Sequence, residues 1–234
     1  MNRCLAIACG LLVGLATSAL PAAASSCVPG TLQTYLGAGP CMIGGATFDD
    51  FSLLPLAFGS SPIDASLIQV TPLSAANQVG FRFGVIASTT DVFETFFHYS
   101  VAGAGLTRAT LQMAGSVASG DGVVTAVQDV CVGGSFPGGL PVGCPGAAVS
   151  NIVFEIEGDN DLDESSSFAA ATFLDVDNDL FIDGGLAGSA ALAGSITNLF
   201  DIQAQPTAVP EPATGLLLVT GLGAIVRRRL QRRA

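Results

Sequence analysis

Short apolar runs recur along the body of this chain, each cut off by Gly, Pro, Ser or Asn, and that punctuation leaves room for strands and little else. Candidate strands run from Ala46 to Leu53, Ser66 to Leu73, Val79 to Ala87, Val92 to Ala102, Leu106 to Met113, Val123 to Val132, Ser150 to Glu157, Phe168 to Val176 and Ile196 to Gln203. Phe81-Arg82-Phe83 and Phe154-Glu155-Ile156-Glu157 show the period of two expected of a strand with one wet face. No segment of the body carries a helical stripe with caps, and Gly115, Gly120, Gly122, Gly133 and Gly134 would break one. The expected fold is all-β: an antiparallel β-sandwich, jelly-roll-like, over residues 25–204. A signal helix should precede it and a short transmembrane helix should follow it.

The two ends read as addresses. After Arg3 comes an apolar run from Cys4 to Leu20, then Ala22-Ala23-Ala24, the build of a secretory signal peptide over residues 1–24 with cleavage before Ser25. Gly10, Gly14 and Pro21 speak against a permanent membrane helix there. Lipidation of Cys27 is disfavoured because Ala24-Ser25-Ser26 supplies no large aliphatic residue before it.

At the other end, Val209-Pro210-Glu211-Pro212 closes a Pro-rich linker over residues 205–212 that neither helix nor sheet accommodates. Residues 213–226 carry no charge. As a helix these residues span about 21 Å, short against a hydrocarbon core of about 30 Å. Arg227, Arg228, Arg229, Arg232 and Arg233 form a basic tail over 227–234 that would hold its end on the cytoplasmic side.

The order Val-Pro-Glu-Pro, short apolar helix, terminal Arg cluster resembles the PEP-CTERM sorting signal of Gram-negative bacteria. The resemblance implies processing by an exosortase-type membrane protease at or near Pro210-Glu211-Pro212, in a setting of extracellular polysaccharide or biofilm. An ordinary single-pass anchor with a Pro-rich linker is the bland alternative. More loosely, the body is similar to ectodomains that travel with this signal. The similarity runs through Tyr35-Leu36, Gly39-Pro40-Cys41, Ile43-Gly44-Gly45, Thr47-Phe48-Asp49-Asp50-Phe51, Gly80-Phe81-Arg82-Phe83, Phe97-His98-Tyr99-Ser100-Val101, Ala193-Gly194-Ser195-Ile196 and Phe200. That likeness implies a β-rich body and agrees with a disulfide near Cys131; it implies no activity.

Charge narrows the partners. Residues 25–209 hold only Arg82 and Arg108 against 18 acidic residues, about −16, so the body would repel phosphate backbones and nucleic acid is excluded as a partner. The chain contains no Lys, which rules out Schiff-base chemistry and a P-loop. In an oxidising compartment Cys27, Cys41, Cys131 and Cys144 remain after signal removal. Three pairings are open to four cysteines. The two local ones, Cys27–Cys41 and Cys131–Cys144, are preferred, each closing a Gly/Pro-rich loop and stabilising by roughly 3 kcal/mol. A zinc site is disfavoured, because there is no C-x-x-C and His98 is the single histidine.

Ten of the 18 body carboxylates fall between Glu155 and Asp183. One cluster runs from Glu155 through Glu157, Asp159, Asp161 and Asp163 to Glu164. In an extended segment its alternate acids would share one face. The other places Asp175, Asp177, Asp179 and Asp183 at D-x-D-x-D-x-x-x-D spacing, close to a calcium loop but with Leu180 where the sharp turn needs Gly. Leu186 at the twelfth position excludes an EF-hand. Calcium is thus the one cofactor the sequence admits, set against a plain solvated acidic face.

No catalytic residues are assigned. There is no G-x-S-x-G elbow and no H-E-x-x-H, and a lone histidine in Phe96-Phe97-His98-Tyr99 reads as a packed or surface residue of an aromatic strand. The expected function is non-catalytic: an exported protein of the cell surface or extracellular matrix, anchored in the inner membrane as a precursor and associated with extracellular polysaccharide. A Ca²⁺-dependent carbohydrate-binding module is the alternative reading, and a glycan-acting hydrolase a remote one.

Overall fold

The computed structural model describes residues 24–54, 61–89, 92–139, 141–186 and 190–203. The expected signal peptide up to residue 23, the Val209–Pro212 motif, the expected membrane helix and the Arg tail lie outside these residues. Among the described residues no helix is long and apolar enough to cross a membrane.

The described residues form fourteen strands, one short α-helix and a 3-10 turn at Pro137–Gly139, the strands and helix in this order: β1 (Ser25–Ser26), β2 (Gly30–Thr31), α1 (Leu32–Leu36), β3 (Cys41–Ile43), β4 (Ala46–Leu53), β5 (Ser61–Pro62), β6 (Gln69–Ala75), β7 (Gln78–Thr89), β8 (Val92–Ala114), β9 (Val117–Ser119), β10 (Val123–Val132), β11 (Ala147–Ile156), β12 (Asp159–Asp161), β13 (Asp163–Asp183) and β14 (Ala190–Ile202). The all-β expectation is met, and all pairings but those of β1 with β3 and β5 with β8 are antiparallel. The strands are bonded into one 14-stranded sheet whose main path is β12-β11-β10-β13-β8-β14-β7-β6-β2. A sandwich of two separate sheets is replaced by a single sheet that curls over itself.

The curl comes from the two longest strands. The first half of β8 lies between β4 and the second half of β13, while its second half pairs with β14 and the start of β13. The β8–β13 register slips between Ser167 and Ala171 and again before Phe173, where β8 carries Gly103 and Gly105. Strands that bend at such irregularities pass from one layer to the next and form the corner between them. Gly105 has φ +66 and a Cβ there would lie 2.8 Å from the Gln203 side chain, so glycine is required at this corner.

One layer therefore holds β3, β4, the start of β8, the end of β13, β10, β11 and β12; the other holds β2, β6, β7, β14, the end of β8 and the start of β13. Between them lies one core. Rings from the two layers meet directly: Phe48 of β4 on Phe81 of β7 at 4.8 Å, and Phe83 of β7 on Phe97 of β8 at 4.7 Å. Alternation sorts β13 cleanly, with Val176, Asn178, Leu180 and Ile182 facing this core. The core also encloses amides: Asn198 Nδ2 donates to Tyr99 OH at 2.9 Å and to Asn178 Oδ1, and Asn151 Nδ2 donates to Gln128 Oε1 at 2.9 Å.

Both local disulfides are present, Cys27–Cys41 and Cys131–Cys144. The first acidic cluster is not one extended run with its acids on a shared face. It turns at Glu157-Gly158, where Gly158 takes φ +83, so that Asp159–Asp161 pairs back on Phe154–Ile156. Its carboxylates serve as local acceptors: Glu157 from Gly120 N–H, Glu164 from Ile152 N–H, and Asp163 from Gln112 at 3.0 Å.

Candidate functional site

If Val176 and Asn178 face the core, Asp175, Asp177 and Asp179 face outward on the same strand. The register then sets His98 of β8 opposite Asp177, which lies opposite Asp129 of β10. Parity on β8 agrees: Phe97 and Tyr99 are inside and His98 is outside. His98 reaches both acids, with Nδ1 2.8 Å from Asp177 Oδ1 and Nε2 3.2 Å from Asp175 Oδ1.

These groups point outward yet are covered. Asp175 is 3% exposed and Asp177 1% exposed. The loop after β10, clipped by Cys131–Cys144, folds over this face, and Phe136 N–H donates to Asp175 Oδ2 at 2.6 Å. Under the loop is a cleft of about 380 Å³ lined by Asp50, Ser52, His98, Ser135, Phe136 and Asp175 among others. Asp50 owes its place to an irregularity of β4 between Asp49 and Ser52, and it adopts φ +58, a conformation Asp tolerates better than most residues. Its carboxylate accepts from Ser100 Oγ at 3.3 Å.

The electrostatics follow from the burial and the pairing. Burial alone would lower the His98 pKa, but the Asp177 hydrogen bond and the charges of Asp175, Asp177 and Asp50 outweigh it and raise it. Burial pushes Asp175 and Asp177 up, with His98 pulling the other way. Nδ1 is hydrogen-bonded to Asp177 and Nε2 stands at ion-pair distance from Asp175, so both ring nitrogens face carboxylates, which favours the imidazolium.

Asp179 continues the outward row without a cation. Burial, and then the charges of Glu94 and Asp129, push its pKa up to about 6, and its Oδ1 is buried with no partner. Asp183 Oδ1 accepts from Gly185 N–H at 2.8 Å and caps the turn after β13. The four acids proposed as calcium ligands thus lie on one strand, not in a loop. Two of the four are already engaged by His98. Among the described residues no group of three or more His, Cys, Asp or Glu is arranged to hold a metal ion. The sequence reading missed the role of His98 because its partners lie 77 and 79 residues away; only strand parity could have signalled that all three face outward.

The chain is, in class, an all-β domain with two disulfides and a histidine locked between two aspartates beneath one of the disulfide loops. No protein-family model matches it, and no curated protein does. Among solved structures it is similar to one described as TmCBM61 in complex with beta-1,4-galactotriose, at 13% identity over 66% of this chain and 88% of that one. The TM-score is 0.30, too low to define a shared fold.

Proposed function

We propose that this is an exported, non-catalytic protein of the cell surface or extracellular matrix, delivered by its signal peptide and sorted through a PEP-CTERM tail. The observation that carries the reading is the pair of disulfides, which form and persist in oxidising compartments. Four of the four cysteines outside the signal segment are consumed in them, leaving no free thiol for metal or redox chemistry. The sorting motif adds the route: Glu211 between two prolines, ahead of a short apolar stretch and five arginines.

The pairing of His98 with Asp175 and Asp177 supports a non-catalytic role, since the single histidine of the sequence is spent on joining two strands. The acidic surface suits a hydrated matrix in which divalent cations bridge polyanions. The exosortase-type protease and the membrane are partners of the precursor in this reading, and polysaccharide is the partner of the mature form.

Intact mass of the protein from its native culture, before and after reduction, tests the reading. A species running from Ser25 to about Pro212 that gains about 4 Da on reduction, two hydrogens per bridge, is the expected result. A mature species that keeps Arg227–Arg233 refutes the sorting claim.

A further inference from the structure

The second layer presents its own outer face, and the only two arginines of the body lie on it. Arg108 is neutralised: its Nε is 3.8 Å from Asp201 Oδ2 and donates to Ser167 Oγ at 3.4 Å. Arg82 is different. It is exposed and makes no hydrogen bond or ion pair among the described residues, although the body carries 18 carboxylates.

Beside Arg82 the surface is hollowed. Gln69 of β6, Gly84 of β7, Ser195 of β14 and Ala114 of β8 form one row across four strands, next to the row Thr71, Arg82, Thr197. The β7–β14 register slips between Ala193 and Ser195, where Gly194 alone faces two residues of β7, Val85 and Ile86. It must be glycine, because a Cβ would lie 2.4 Å from Ala114 O. Two glycines and an alanine in place of long side chains leave a trough of about 440 Å³, within the ~300–1,000 Å³ of small-molecule sites. Its walls carry the Gln69 amide, the Thr71 and Ser195 hydroxyls and the Arg82 guanidinium.

We propose that this trough binds a carboxylate-bearing sugar, a uronate residue of an acidic oligosaccharide. Arg82 takes the carboxylate in a two-point contact that its planar fork suits. The amide and hydroxyls around it match ring hydroxyls, and the small-residue floor lets the C–H face of a ring approach the sheet. Within a body of about −16, only the unpaired Arg82 attracts the ligand's charge, so the site suits short oligomers that set one carboxylate on it. The proposal rests on the matrix reading only for where such a sugar would be met, and direct binding is measured independently of sorting.

The test is calorimetry on the exported protein purified from its native host, at low salt, with short oligogalacturonate, oligomannuronate and oligoguluronate. The controls are the methyl ester of the bound sugar and inorganic phosphate. At least one uronate should bind, with esterification and Arg82→Gln each weakening it tenfold or more, and with salt weakening it further. Arg82→Gln should leave the melting temperature unchanged, since the side chain supports nothing in the fold. No binding to any of the three at about 10 mM, equal binding of the methyl ester or of phosphate, or undiminished binding by the variant would each overturn the proposal. A failed mass experiment with successful binding would remove the sorting route and leave the site standing.

Discussion

Asp179→Asn should stabilise this protein at pH 8 and do little at pH 4. The carboxyl is part-buried beside Glu94 and Asp129, with one oxygen unpartnered, and its pKa rises from the usual 3.8 to about 6. Between those values the unfolded chain releases a proton that the folded chain keeps. Above about 7 the folded state carries the full penalty of an ionised carboxylate held among its like. A raised acid therefore costs stability as pH climbs, and the cost is absent below 3.8. At about 1.4 kcal/mol per unit the shift corresponds to ~3 kcal/mol. Solvent screening of a side chain that is not fully enclosed brings the expected gain to about 1.5 kcal/mol. Asn removes the charge at nearly constant shape, and its N–H can donate to the acids beside it. Urea unfolding of both proteins at pH 4 and pH 8 measures the difference. A gain of equal size at both values, or none at pH 8, would refute the claim that charge burial sets the energetics of this row.

His98→Ala should destabilise by about 3 kcal/mol or more at pH 6, because two buried carboxylates lose their cation. The wild-type contribution is complete below the ordinary histidine value and is lost as pH rises through the raised one, so thermal melts at pH 6 and pH 9 should show the loss shrinking at the higher value. Replacing Cys131 and Cys144 together by Ser should cost about 3 kcal/mol in chemical unfolding and speed hydrogen exchange at the Phe136 amide, which Asp175 now holds. Gly80→Ala should cost at least about 2 kcal/mol by the same assay, since its Cβ would stand 1.9 Å from Asn198 O in the paired strand.

Two strands were legible to the residue, Ala46–Leu53 and Val123–Val132, because their alternation is bounded by Gly on at least one side. The two strands that build the corner were not. Gly103 and Gly105 divided β8 into two candidate strands, where the chain in fact bends without leaving the sheet. β13 was expected to end at Val176, because acids at every second position look like a loop when only one chain is in view. Helix α1 escaped notice for its length: five residues give no periodicity, and it is held by the Thr31 cap and by buried Leu32 and Tyr35. The disulfides were legible because short loops rich in Gly and Pro bring local cysteines together. The His98 cluster depends on which strands are neighbours, which no local pattern encodes.

The place where the chain leaves the sheet has a mechanical meaning. The described residues end at Gln203, directly after β14, and β14 is gripped on both sides: Asp201 stands opposite Gln78 of β7 and opposite Arg108 of β8. Were the precursor proposed above held by its tail in moving fluid, the load of drag would reach the body through this strand. An edge strand would peel away one hydrogen bond at a time, but β14 cannot come free without breaking two ladders together. A pull on the tail would thus meet the sheet where it resists tearing, and not at the weakly held edges β2 and β12, with few paired residues each.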